Sequence, residues 1–169
     1  MSAPHLVVLG SLNVDLIINV EDLPKSGQTI FSESFIIENG GKGANQAVAA
    51  SRLGATVTMI GRVGVDVFSE QVLTDLRSEA VDVSRITKDL NHSTGIALIT
   101  VDSKSENTIV VSSGANMNCG QVELDFLQDR IVGANCLMLQ NEIPLEINLE
   151  AAKIAQRHNV PVIWDPAPF

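Results

Sequence analysis

Apolar residues fall along this chain in short runs and stripes with two distinct periods. Leu6 to Leu9 is an apolar run closed by Gly10, the pattern of a buried strand. From Leu12 the period becomes two, with Leu12, Val14, Leu16, Ile18 and Val20 alternating with Asn13, Asp15, Ile17 and Asn19. That predicts a strand with one apolar face. It also puts Asn13 and Asp15 on the same side, roughly 6.6 Å apart along the strand. Pro24 and Gly27 interrupt, and residues 29–38, with Phe31, Phe35, Ile36 and Ile37, read as another strand. After Gly40-Gly41-Lys42-Gly43, the alanines at 44, 47, 49 and 50 predict a helix from Ala44 to Leu53, ended by Gly54. Val57 to Ile60 predicts a strand, and residues 68–80, carrying Val72, Leu73 and Leu76, a helix.

The middle of the chain changes character. Residues 95–101 and 108–111 are strand-like and are joined by the polar stretch 102–107, a hairpin signal. With residues 29–38 they predict a small sheet outside the βα alternation. Beyond it, Leu124, Leu127 and Ile131 mark a helix, and Leu137 to Leu139 a buried strand. Pro144 opens a helix with the stripe Ile147, Ala151, Ile154 and Ala155, and Val162 to Trp164 is the last strand. The fold class expected is α/β: a mainly parallel sheet flanked by helices, with a small β-sheet lid. The lid strands fall at about 12–38 and 94–113 of a single unit, 1–169. No helical pattern follows the last strand before Asp165-Pro166-Ala167-Pro168-Phe169. Parallel sheets bury both faces, so this end reads as an edge strand closing a small domain or as a truncated weave. Truncation is the expectation taken here.

Composition narrows the function classes. With 169 residues, 45% of them hydrophobic, the chain is long enough for one domain with a real core. A formal charge of −9 makes nucleic acid and anionic lipid surfaces poor partners. No apolar run is long enough to span a bilayer, and the start Met1-Ser2-Ala3-Pro4-His5 lacks the features of a signal peptide. Cys119 and Cys136 have no metal-ligand spacing and read as reduced, partly buried thiols of a cytoplasmic protein. His5, His92 and His158 are scattered without acidic or cysteine partners, so no metal site is expected.

The candidate chemistry lies at two places. Asn39-Gly40-Gly41-Lys42-Gly43-Ala44-Asn45 sets glycines and free amides at a helix start, beside one ammonium and one carboxamide. The residue after Lys42 is Gly43, not Ser or Thr, so this is not a Walker A loop, and it does not match the dinucleotide fingerprint. Spacing alone leaves a ligand loop and a plain helix-capping turn equally open. Glu142 follows a strand, where ligands of open α/β sheets bind, and Asp15 lies on one. Such acceptors suit hydroxyl-rich ligands. Glu142 is equally accounted for as a charge favourably placed at a helix start. Gly-x-Ser-x-Gly, His-Glu-x-x-His and EF-hand patterns are absent.

Taken in order, several stretches resemble the ribokinase (PfkB) family of carbohydrate kinases. They are Val8 to Asp15, Gly40 to Ala50, Gly54, Gly64, Ser93 to Ile99, Ser112 to Asn116, and Leu139 to Pro144. The resemblance runs the length of the chain. It implies phosphoryl transfer from ATP to a sugar, D-ribose at its 5-hydroxyl being the first expectation. Another sugar or nucleoside kinase of the family, or a non-catalytic sugar-binding and dimerising module, is the alternative. By resemblance the sugar contacts are Asn13, Val14, Asp15, Gly41, Lys42, Gly43, Ala44 and Asn45, with Ala97 and Ile99 lining the lid and Glu142 completing the polar ring. The family's Asn-x-x-Glu and Gly-Ala-Gly-Asp motifs, the latter with the general-base Asp, are expected beyond Phe169. With them go the sites for ATP, Mg2+ and the activating monovalent cation, K+. No catalytic residue is therefore expected here, and Asp165 is read as part of a structural turn. A homodimer through the lid is implied, and the 169-residue chain alone is expected to be inactive.

Overall fold

The computed structural model describes residues 3–32 and 34–168. Met1, Ser2 and Phe169 lie outside the described residues, as does Glu33 within the strand expected at 29–38. Five short runs build the main sheet: β1 (His5–Leu9), β4 (Thr56–Val63), β5 (Val81–Lys88), β8 (Cys136–Gln140) and β9 (Val162–Asp165). All neighbours are parallel, in the order β5-β4-β1-β8-β9. Alternation sends Val7, Leu9, Leu137 and Leu139 to one face, where they pack on α3 (Gln121–Ile131) and α4 (Leu145–Arg157). Val8, Val57 and Met59 take the other face, against α1 (Lys42–Arg52) and α2 (Val67–Ser78). A strand covered on both faces needs continuous apolar sequence, which is what Leu6 to Leu9 provides. At the edge, Val162 and Trp164 of β9 join the α3–α4 core, whereas Ile163 on the opposite face is 58% exposed.

The second sheet holds four strands in the order β3-β2-β6-β7: β2 (Asn13–Asn19), β3 (Phe35–Gly40), β6 (Gly95–Val101) and β7 (Asn107–Ser112). β2 and β6 run parallel, and each has an antiparallel outer neighbour. Burial falls along β2, from the fully buried Val14 to the exposed Ile18 and Asn19. The sheet's outer part bears exposed apolar side chains on both faces. Register places Ile36, Ile109 and Val111 on one face and Phe35, Leu98 and Val110 on the other.

Three departures from the sequence expectations stand out. The strand expected at 29–38 occupies 35–40, because β2 offers partners only from Gly40 back to Phe35, and Phe31 stands 93% exposed. The expected helix 44–53 begins at Lys42, so Lys42 and Gly43 form its first turn. Strand β5 had no sequence expectation. Its register against β4 shifts between Thr58 and Ile60, and the irregularity breaks the alternation of Val81 and Val83 before Ile86. Among the described residues, no helix is long and apolar enough to cross a membrane.

Candidate functional site

Strand order reverses between β1 and β8: β4 and β5 lie to one side, β9 to the other. Such a reversal opens a crevice beyond the carboxyl ends of the two strands. Three segments converge there: Gly10 to Leu12 leaving β1, Asn141 and Glu142 leaving β8, and the first turn of α1. Their closeness rests on glycines. Gly41, which caps α1, has φ 88°, and a Cβ there would lie 2.9 Å from Asn13 N and Ser11 O. A Cβ on Gly43 would meet Ser11 N at 2.6 Å.

Ser11 is the fully buried centre of this junction. Its hydroxyl donates to Glu142 Oε2 at 2.5 Å and accepts the Gly43 amide at 3.2 Å, and its carbonyl accepts the Ala44 amide at 3.0 Å. Glu142 grips Lys42 at both ends. Its Oε2 accepts the Lys42 amide at 2.8 Å, and its Oε1 lies 3.1 Å from Lys42 Nζ. The carboxylate therefore fixes the helix start by charge-assisted hydrogen bonds while keeping lone pairs for a further donor.

β2 carries the other polar groups. Pairing sets Asn13 opposite Gly40 and Gly95, Asp15 opposite Glu38 and Ala97, and Ile17 opposite Ile99. Asn13, Asp15, Ala97 and Ile99 thus share one face, as the period of two required. Asn13 is buried, and its Oδ1 accepts from Asn116 Nδ2 at 2.7 Å. Burial raises the Asp15 carboxyl above its ordinary range; the nearby charges of Glu142 and Glu38 add to this, and Lys42 offsets part of it. Asn13, Asn116, Asn141, Glu142, Ser113 and Pro168 line a cleft of about 150 Å³.

Not every expected contact faces this cleft. The side chains of Val14 and Ala44 are buried in the core between the main sheet and α1–α2, so only their backbones remain for a ligand. Asn45 is exposed and lines a larger groove of about 620 Å³ with Glu38, Asn39 and Asp75, between α1, α2 and β3. The smaller cleft is where donors and acceptors from three separate segments converge. Asp165, expected in a structural turn, instead ends β9 opposite Gln140 and is exposed; the segment after it is held by Asn141, whose amide donates to Ala167 O at 3.0 Å and whose Oδ1 accepts from Trp164 Nε1 at 2.9 Å. Sequence reasoning missed Ser11 and Asn116. Ser11 shares the odd-numbered parity of Asn13 and Asp15, a signal that could have found it. Asn116 lies 103 residues from its partner Asn13 and carries no local signal.

Among the described residues no three His, Cys, Asp or Glu side chains gather to hold a metal. A triphosphate would find Lys42 alone, already paired with Glu142. The described residues do not fit ATP or its Mg2+.

Residues 3–169 match the profile of the pfkB family carbohydrate kinases. The chain belongs to the PfkB family of carbohydrate kinases. It is 43% identical over 170 residues to the ribokinase of Schizosaccharomyces pombe, covering 97% of this chain and 54% of that protein. With the ribokinase of Haemophilus influenzae it shares 40% identity over 163 residues, covering 96% and 53%. The Arabidopsis thaliana ribokinase complexed with ribose and ATP superposes with a TM-score of 0.86 at 33% identity, over 100% of this chain and 55% of that one. This PfkB-family chain spans about half the length of the curated relatives it matches.

Proposed function

We propose that this chain is the sugar-holding half of a ribokinase, and that the whole protein transfers the γ-phosphoryl group of ATP to the 5-hydroxyl of D-ribose. The observation that carries this reading is the convergence of Asn13, Lys42 and Glu142 at the strand-order reversal, with Asp15 beside them. Asp15 and Glu142 accept sugar O–H groups, Asn13 and Lys42 donate, and the glycine backbone at Gly41 and Gly43, whose following amides are already bonded to Glu142 and Ser11, lets the ring approach the start of α1. Ala97 and Ile99 make the apolar inner face of the small sheet, which as a lid excludes water that would compete for the phosphoryl group. The general base and the sites for ATP, Mg2+ and K+ fall, on this reading, to the part of the relatives' length that this chain does not span. The protein works in the cytoplasm, where its buried Cys119 and Cys136 stay as thiols, and it pairs as a homodimer through the small sheet.

The test is sugar binding to the chain by calorimetry, alongside sugar-dependent ADP release by the whole protein. Ribose is expected to bind the chain, and Asp15→Ala and Glu142→Ala to abolish that binding. Unchanged binding by both variants would remove the assigned site. ADP release with another sugar and none with ribose would retain the kinase and discard the substrate.

A further inference from the structure

Asn116 belongs to the 3₁₀ turn Gly114–Asn118 that follows β7, and it is 1% exposed. Its carboxamide is clamped by backbone groups whose polarity cannot change. Oδ1 accepts from Leu12 N at 2.9 Å, and Nδ2 donates to Leu12 O at 3.2 Å and Ser113 O at 3.0 Å. A flipped amide would set NH2 against N–H and oxygen against two carbonyls, so its orientation follows from the main chain. The same Nδ2 also donates to Asn13 Oδ1 at 2.7 Å, the shortest of its three contacts, so one of its two hydrogens is shared between acceptors. Gly95 leaves the room for this contact, since a Cβ there would lie 2.1 Å from Asn13 Oδ1 and 2.4 Å from Asn116 Nδ2.

The polarity of Asn13 follows. With Oδ1 held inward, the group left for the cleft is the Nδ2 amine, a donor. Its neighbours Asp15 and Glu142 are acceptors when ionised, and the Lys42 ammonium is paired with Glu142. We propose that Asn116 is a positioning residue that sets specificity: by fixing the Asn13 amide, it makes the site require a ligand hydroxyl whose oxygen accepts a hydrogen bond from β2. The proposal rests on the sugar-site reading above. A hydroxyl meets the demand because it can accept from Asn13 and donate to a carboxylate at once, whereas a deoxy position can do neither.

Two measurements test it. In the free chain, side-chain amide exchange by NMR with asparagine-selective ¹⁵N labelling should find the Asn116 NH2 protected and the Asn13 NH2 open to solvent. An Asn13 NH2 as protected as that of Asn116 overturns the proposal, whatever sugar binds. The second measurement compares D-ribose with each monodeoxyribose on the wild type, Asn116→Asp and Asn116→Ser. Asn116→Asp still accepts from Leu12 N but confronts Asn13 Oδ1 with another acceptor, which turns the Asn13 oxygen toward the cleft. Ribose affinity should fall about tenfold in that variant. The one deoxy sugar that lacks the Asn13-bound hydroxyl should lose less than about twofold. Asn116→Ser, too short to reach Asn13, should show the same coupling more weakly. An equal loss for all sugars, or unchanged ribose binding, overturns the proposal. A wild-type chain that binds no sugar yet shows the expected exchange pattern sinks the ribose reading and upholds the Asn116–Asn13 assignment.

Discussion

Asp15 is held among like charges, and its raised pKa ties ligand binding to stability. The folded state binds the Asp15 proton more tightly than the unfolded chain does, chiefly through burial and then through Glu142 and Glu38. Its favourable contribution is therefore fully present below the ordinary carboxylate range and is lost as pH rises through the folded value. At pH 7 the ionised side chain weakens the fold. Asp15→Asn should raise stability at pH 7 while weakening ribose binding, the exchange expected at functional sites. Thermal unfolding at pH 7 and pH 4 checks this, since the gain should shrink at the lower pH. A variant less stable at pH 7 would contradict it. Cys119 gives a second expectation. Burial first, and then the Glu123 charge, pushes its thiol up to about 12, only partly offset by Arg62. Native protein should therefore resist thiol reagents at pH 8 at this position, with labelling appearing only on unfolding. Mass spectrometry of the labelled peptides decides.

The elements are joined by polar side chains at their ends. Asp66 caps α2 by accepting from Ser69 N at 2.9 Å, and its carboxylate also takes the Thr94 amide at 2.7 Å and the Thr94 hydroxyl at 2.8 Å. Burial works against the ionised form, but these hydrogen bonds outweigh it and hold the carboxyl below its usual range. The contribution is thus present above the ordinary carboxylate pKa and fades as pH falls through the lower, folded value. Asp66→Ala should cost about 1–3 kcal/mol at pH 7 and less near pH 3, readable from urea midpoints. Much at this scale was legible from sequence. The alternation from Leu12 to Val20 gave β2 and the shared face of Asn13 and Asp15, and the alanine-rich stripe gave α1 to within two residues. β5 was hidden because its register shift breaks the alternation. The start of β3 was misplaced because the length of its partner, not its own apolar residues, decides where pairing begins. The Ser11–Glu142 and Asn116–Asn13 contacts join segments more than a hundred residues apart, beyond any local pattern.

At the scale of the whole molecule, the polar cleft at the strand-order reversal is lined, among the described residues, by Glu142 and by no Lys or Arg side chain. Purified 169-residue chain should bind ribose and show no ribose-dependent ATP hydrolysis above background in a coupled ADP assay. Measurable turnover would place catalytic groups within this sequence after all. The chain passes between its two sheets at Gly10 to Leu12, at Gly41, at Thr94 and at Ser113, and the cross-ties through Ser11, Asn116 and Asp66 fasten these crossings to one another. The small sheet is thus tied at its crossings to the residues around the cleft, and Asn13 and Asp15, being part of its strand β2, would move with any swing of it. On the sugar-holding reading proposed above, sheet angle and sugar affinity would act as one thermodynamic variable, with the apparent dissociation constant rising as the closed fraction falls. Whatever grips the outer strands, however far from the cleft, would then regulate a sugar it never touches.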